Sequence, residues 1–202
     1  MRTVIRGLFL FLCFFCCVSL CADDLRARLA PMAAVRTVQA DFCQTRHLAE
    51  LDMTVEIRGS MTCERGGRLR WQVDSPMKQI ILIGEKSLRI HDVAAGKTMT
   101  VDVKKFPWLA LIRSSLADTM TGDIQRLQTR FQVKELEKHK LRLIPADDAL
   151  KMFFESMDLT FRADFAAVEQ IMIHERSGDR LEIRFLNVKN DPAVPEQHWQ
   201  LP

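Results

Sequence analysis

Glycine and proline are scarce, 8 and 7 among 202 residues, which excludes collagen-like and intrinsically disordered chains. No segment repeats, so a solenoid is excluded as well. Neither sign of charge prevails: 29 basic residues face 26 acidic ones for a formal net charge of +3. A chain this close to neutral offers no electrostatic footprint for DNA or RNA. Catalytic signatures are missing too. There is no GxSxG elbow, no GxxxxGKS/T phosphate loop, no GxGxxG dinucleotide fingerprint and no HExxH, so an enzyme is not expected. The 5 histidines, His47, His91, His139, His174 and His198, show no zinc-finger spacing and have no cysteine near them in sequence. No metal and no cofactor are expected. His174-Glu175 reads as a solvated strand face, and Asp23-Asp24 and Asp147-Asp148 read as acids at helix starts, where the dipole favours them.

Long hydrophobic runs are confined to the N-terminus. Arg2 and Arg6 precede an uncharged stretch from Gly7 to Leu20, and Leu20-Cys21-Ala22 ends in a small residue before Asp23-Asp24. That is the pattern of an export signal, with cleavage expected near Ala22. It divides the chain into a leader, 1–22, and one domain, 23–202. The run falls short of the ~20 apolar residues that span a bilayer, so no transmembrane helix is expected after cleavage. Bulky Leu20 makes Cys21 a poor lipidation site, so a soluble, monomeric periplasmic product is expected rather than an anchored one. Cys13, Cys16, Cys17 and Cys21 lie in the leader, which leaves Cys43 and Cys63. An oxidising compartment invites a disulfide. Alternation, however, puts Cys43 with Asp41 and Thr45 on a polar face and Cys63 with Val55, Ile57 and Met61 on an apolar one. Two unpaired thiols are expected.

Past Asp24, which is placed to cap a helix, Leu25, Leu29, Met32 and Val35 recur at helical spacing, with Pro31 kinking or shortening the helix. The period then changes to two. Val38, Ala40 and Phe42, then Val55, Ile57, Gly59 and Met61, alternate with polar neighbours as a hairpin. Leu69, Trp71 and Val73 form a third strand ending at Asp74-Ser75-Pro76. Ile80–Ile83, Leu88–His91 and Thr98–Val103 supply three more. Pro107 opens a helix through Leu116 that is apolar over most of its circumference. Further strands are expected at Phe131–Leu136, Leu141–Ile144, Met157–Phe161, Val168–Glu175 and Leu181–Val188. Eleven short strands linked by turns imply a mainly β, α+β fold, an antiparallel meander curled into a barrel or unclosed half-barrel.

The sheet carries more apolar residues than a compact barrel needs. A closed barrel of about eight strands fills its own interior, whereas a wider unclosed sheet leaves a concave apolar space suited to lipid. Candidate lining residues are Trp71, Ile81 and Ile83 on the early strands, Trp108, Leu109, Leu111 and Ile112 on the helix, and Phe131 and Phe161 on later strands. The alternative is that Trp71, Trp108, Phe131 and Phe161 are simply core.

The order of residues resembles a known family. Asp24-Leu25 with Arg28-Leu29, then Phe42-Cys43-Gln44, Gly59, Arg65, Leu69-Arg70-Trp71 and Ser75-Pro76 are similar to the start of the periplasmic outer-membrane lipoprotein carriers, the LolA-type proteins. Ile80–Ile83, Leu143-Ile144-Pro145, Phe161, Gly178-Asp179, Ile183–Asn187 and Asn190 continue the likeness to the end of the chain. The resemblance implies an eleven-stranded unclosed barrel with a helical lid over an apolar cavity. It also implies a carrier that takes acylated lipoproteins from an inner-membrane transporter and hands them to an outer-membrane receptor. In that family an arginine ending the second strand fastens the lid by hydrogen bonds; Arg65 matches it, with Gly66 where the family has proline. The chain closes at Trp199-Gln200-Leu201-Pro202 without the longer tail of some carriers. A glycolipid carrier, or a lipid-sensing or envelope-assembly module of the same fold, is therefore the alternative expectation.

Burying one CH₂ is worth about 0.8 kcal/mol, so a sixteen-carbon chain supplies on the order of 12 kcal/mol gross. Release then requires a loose lining and a lid whose open and closed states differ little, and Met, Leu and Ile meet that need better than rigid aromatics.

Overall fold

The computed structural model describes residues 24–105 and 107–202, with side chains described for all of these except 105–112. The expected leader and Cys21 lie outside the described residues. The chain is already helical at residue 24 in α1 (24–28), so Asp24 lies within the helix rather than capping it, and its carboxylate pairs with Arg28 at 3.2 Å. Pro31 lies in the first turn of α2 (Ala30–Ala33). Proline lacks the N–H that a continuous helix would need, so the chain breaks at Leu29 and restarts. Leu25, Leu29, Met32 and Val35 are all buried.

Six strands follow: β1 (Thr37–Leu48), β2 (Met53–Glu64), β3 (Arg68–Ser75), β4 (Gln79–Ile83), β5 (Ser87–Asp92) and β6 (Lys97–Asp102). The helix α3 (Pro107–Met120) starts at the expected proline. After Gly122 the chain forms α4 (Ile124–Arg130), which the sequence reading passed over. Two apolar residues, Ile124 and Leu127, are too few to show a period. The signal was Asp123, whose side chain accepts from Arg126 N at 3.2 Å as an N-cap. Asp147 caps α5 (Asp148–Lys151) in the same way, accepting from Ala149 N at 2.8 Å. The remaining strands are β7 (Phe131–Glu137), β8 (Lys140–Pro145), β9 (Ser156–Phe161), β10 (Val168–His174) and β11 (Arg180–Asn190). No described helix is long and apolar enough to cross a membrane.

All eleven strands join one antiparallel sheet in the order β6-β5-β4-β3-β2-β1-β11-β10-β9-β8-β7. Each strand pairs with its sequence neighbour except where β1 meets β11, and β6 and β7 are left as free edges. The sheet curls without closing. Asp191 secures the β1–β11 junction by accepting from Arg36 N at 2.7 Å and Thr37 N at 2.9 Å, and these backbone bonds hold its carboxyl below the usual carboxylate range.

Register settles the cysteines. Cys63 pairs with Val38, and Cys43 with Arg58, so the two thiols are rungs apart and point to opposite faces. Both are free. Burial, with Asp118 nearby, pushes the Cys63 thiol up to about 12.

Candidate functional site

The concave face is written in the register. Trp71 pairs with Ile81, Ile81 with Ile90, and Ile90 with Met99; alongside runs Leu69, Ile83, Leu88 and Val101. Each row places one apolar side chain per strand on the same face, because side chains two residues apart share a face. On the far side of the curl, Ile171 and Ile173 of β10 and Leu181 and Ile183 of β11 do the same. Under α3 these two walls enclose a cavity of about 290 Å³.

Trp71, Ile81 and Ile83 line that cavity. The side chains of Trp108, Leu109, Leu111 and Ile112 lie outside the described residues. Phe131 and Phe161, 2% and 3% exposed, do not line it. Phe131 stacks with Phe154 at 6.3 Å between ring centres, and Phe161 packs on Phe165 at 5.9 Å; both belong to the packed core. The sequence reading did not single out the β10 and β11 residues, Leu116 of α3, or Leu150, Phe154 and Met157. Their alternation was visible, but which strands would face Trp71 across the curl depends on the β1–β11 pairing, a contact between residues far apart in sequence.

The hydroxyls in the wall come from α3. Ser115 and Thr119 are the lining residues that carry hydroxyls. Behind them Arg130, at the end of α4, donates to Ser114 Oγ at 2.8 Å, Ser115 Oγ at 3.1 Å and Asp118 Oδ2 at 2.6 Å. Burial raises the Asp118 carboxyl, and Arg130 opposes that rise. The pair turns its charge away from the cavity and joins α3 to α4.

Arg65 ends β2 and reaches three backbone carbonyls. Its Nη2 donates to Ala33 O at 2.8 Å and Thr121 O at 3.0 Å, and its Nε to Val35 O at 3.0 Å; Nη1 lies 3.5 Å from Asp123 Oδ2. One guanidinium thus ties the sheet to the C-terminal end of α2 and the residues that follow it, and to the C-terminal end of α3. Close packing at that end depends on Gly122, with φ +63°, because a Cβ there would stand 2.6 Å from Met32 Cβ.

Acid–base machinery does not converge on the cavity. Among the described residues no group of His, Cys, Asp and Glu could hold a metal ion. His174 Nε2 lies 3.4 Å from Asp158 Oδ2, which Arg142 also engages at 2.8 Å, and Glu175 accepts from Arg46 at 2.8 Å. Arg142, Asp158 and His174 lie on the convex face, whereas Arg46 and Glu175 extend the faces of Leu181 and Ile173 beyond the residues that line the cavity. Arg142 first, then His174, holds Asp158 below the carboxylate range against the opposing effect of burial.

Residues 33–201 match a family model described as outer membrane lipoprotein carrier protein LolA. The chain is similar to an outer-membrane lipoprotein carrier protein of Legionella pneumophila, 25% identical over 89% of this chain and 84% of that protein. A Pseudomonas putida protein of the same description is 24% identical over 82% of this chain and 77% of its own length. In fold it is similar to a chain of the Pseudomonas aeruginosa MucA/MucB complex, with a TM-score of 0.52 and 14% identity, covering 90% of this chain but spanning 61% of that one.

Proposed function

The chain belongs to the LolA family of outer membrane lipoprotein carriers, and from that premise we propose that it holds lipoprotein acyl chains in the cavity beneath α3 and delivers them to the outer membrane. The cavity carries this reading. Its walls are apolar apart from two hydroxyls and the indole N–H of Trp71, and it sits between a helix and a sheet that never closes. Its volume lies at the small end of the range for ligand pockets, so a long acyl chain requires α3 to move outward. Arg65 is the latch for that movement. Its hydrogen bonds hold the empty protein shut, and cargo takes over the stabilisation when hydrocarbon leaves water. A leader cleaved near Ala22 exports the protein; an inner-membrane transporter loads it and an outer-membrane receptor unloads it.

Nothing in this cycle calls for bond chemistry, and the protein acts by binding alone. Native mass spectrometry of the mature protein after incubation with acylated lipoprotein should show a one-to-one complex, and acylated cargo should displace a fluorescent fatty acid. Absence of both would overturn the reading.

A further inference from the structure

Thr119 of α3 and Thr121, just past its end, differ in a way that bears on the cargo. Thr121 Oγ1 donates to Ala117 O at 2.7 Å, the back-bond by which a buried helical hydroxyl satisfies itself. Thr119 makes no such bond. Its side chain is 1% exposed, its Oγ1 is buried without a hydrogen-bond partner, and it lines the cavity. One turn earlier on the same face Ser115 also lines the cavity, but its oxygen is already engaged by Arg130. A buried hydroxyl left without a partner is unfavourable, and once α3 moves outward for cargo, as the carrier reading requires, the cavity that Thr119 borders is where a partner could lie.

We infer that Thr119 is a subsite for the carbonyl oxygen of an ester- or amide-linked acyl chain, donating its Oγ–H to that oxygen while the hydrocarbon lies against Trp71, Ile81 and Ile173. The inference rests on the acyl-carrier reading and adds a chemical preference to it. Bare hydrocarbon has nothing for the hydroxyl to donate to. An ionised carboxylate would be buried beside a wall whose neighbouring cation, Arg130, is bound to Asp118 at 2.6 Å. A neutral carbonyl fits both the donor and the apolar surroundings.

The test is displacement of a phenylnaphthylamine dye from the mature protein by methyl palmitate and by heptadecane, with wild type, Thr119→Val and Thr119→Ser. Comparing the ratio of the two affinities between proteins cancels ligand solubility. Thr119→Val should cut the ester's advantage over the hydrocarbon about five- to tenfold, and Thr119→Ser should restore it. Thr119→Val should also melt no lower than wild type, since it removes an unsatisfied buried group; should it fail to fold, Thr119→Ala takes its place. An unchanged ratio in the hydroxyl-free variant overturns the subsite while leaving the carrier reading intact. Failure of both ligands to displace dye from wild type overturns the carrier reading and the subsite together.

Discussion

The two halves of the sheet are built from the same alternation and end in opposite states. From β7 to β11 most inner residues are covered: Leu141, Leu143, Met157, Leu159 and Val168 are all buried, while Ile173 and Leu181, which line the cavity, are half-buried. From β3 to β6 most are not, Leu69 excepted. Trp71, Ile81, Ile83 and Ile90 are half-buried, and Met99 on the edge strand is 55% exposed. The half with an unfilled inner face is gripped from outside instead. On its convex face Arg70 Nη1 donates to His198 O at 3.0 Å and Gln200 O at 3.1 Å, and Arg68 lies over the Trp199 ring at 4.7 Å. Interior packing dominates one half; in the other more of the inner face is left uncovered and arginines on the back supply support.

The seam between the halves should be the most sensitive point. Phe42 of β1 stacks on Trp71 of β3 at 4.0 Å across Gly59 of β2. A Cβ on Gly59 would run into the Gln72 carbonyl and stand 3.0 Å from Phe42 Cζ. Backbone cannot yield as a flexible side chain does, so Gly59→Ala should cost at least about 4 kcal/mol. Urea unfolding would check it; a near-neutral effect would mean that the halves are not joined through this rung.

Next in size comes a matched pair of truncations. Leu143, fully buried, should lose about 2–5 kcal/mol on Leu143→Ala, the usual cost of a cavity in a packed core. Ile81→Ala, in a wall that already borders a cavity, should cost about 1 kcal/mol or less and weaken binding of a fluorescent fatty acid instead. Equal destabilisation would erase the distinction between the halves.

That distinction was the part of the molecule least legible in the sequence. Alternation and turn signals located the strands, because each inner series, Leu69-Trp71-Val73 or Leu181-Ile183, and each turn between strands is local. Pro107 marked the start of α3 for a local reason too, its fixed φ and missing N–H. Whether Phe131 or Trp71 faces filled or open space depends on which strands meet across the curl, and composition does not carry that. Arg65 came from family likeness rather than from its neighbours, since Arg65-Gly66-Gly67 by itself looks like an exposed turn. Thr119 was invisible because its interest lies in a bond it does not make.

Arg65 spans the regions, so its loss should alter cargo handling more than stability. Arg65→Leu removes three donated hydrogen bonds to carbonyls, a loss of about 1–3 kcal/mol to the closed, empty state. A closed state weakened by 1.4 kcal/mol relative to the loaded one raises retention about tenfold. The variant should therefore load lipoprotein and pass it on poorly, measured as transfer to acceptor membranes at equal folded fraction. Arg65→Lys should behave like the leucine variant, since an ammonium cannot span the carbonyls that the guanidinium fork reaches. Wild-type transfer in both would return Arg65 to a surface turn.

The smallest effect concerns the outer brace and is read by pH. His198 Nε2 and Thr62 Oγ1 lie 2.8 Å apart, and burial first, then the Arg70 charge, lowers the His198 pKa from its ordinary 6.5. The folded protein thus holds a neutral imidazole where the unfolded chain, titrating at its ordinary value, takes up a proton. Above that value the two states bind the same number of protons and the brace is intact. As pH falls from there through the lowered folded value, protonation of the unfolded or undocked segment drains stability, and below the folded value the loss levels off. Because the ring is partly exposed, the change should stay below about 1 kcal/mol. Hydrogen exchange at residues 196–200 should quicken between about pH 7.5 and pH 5, beyond the intrinsic rate change, while amides of β8 and β9 stay protected. His198→Gln should remove that difference. Acid-induced loosening of β8 and β9 before the C-terminal segment would show that the brace is not the weaker part of the open half.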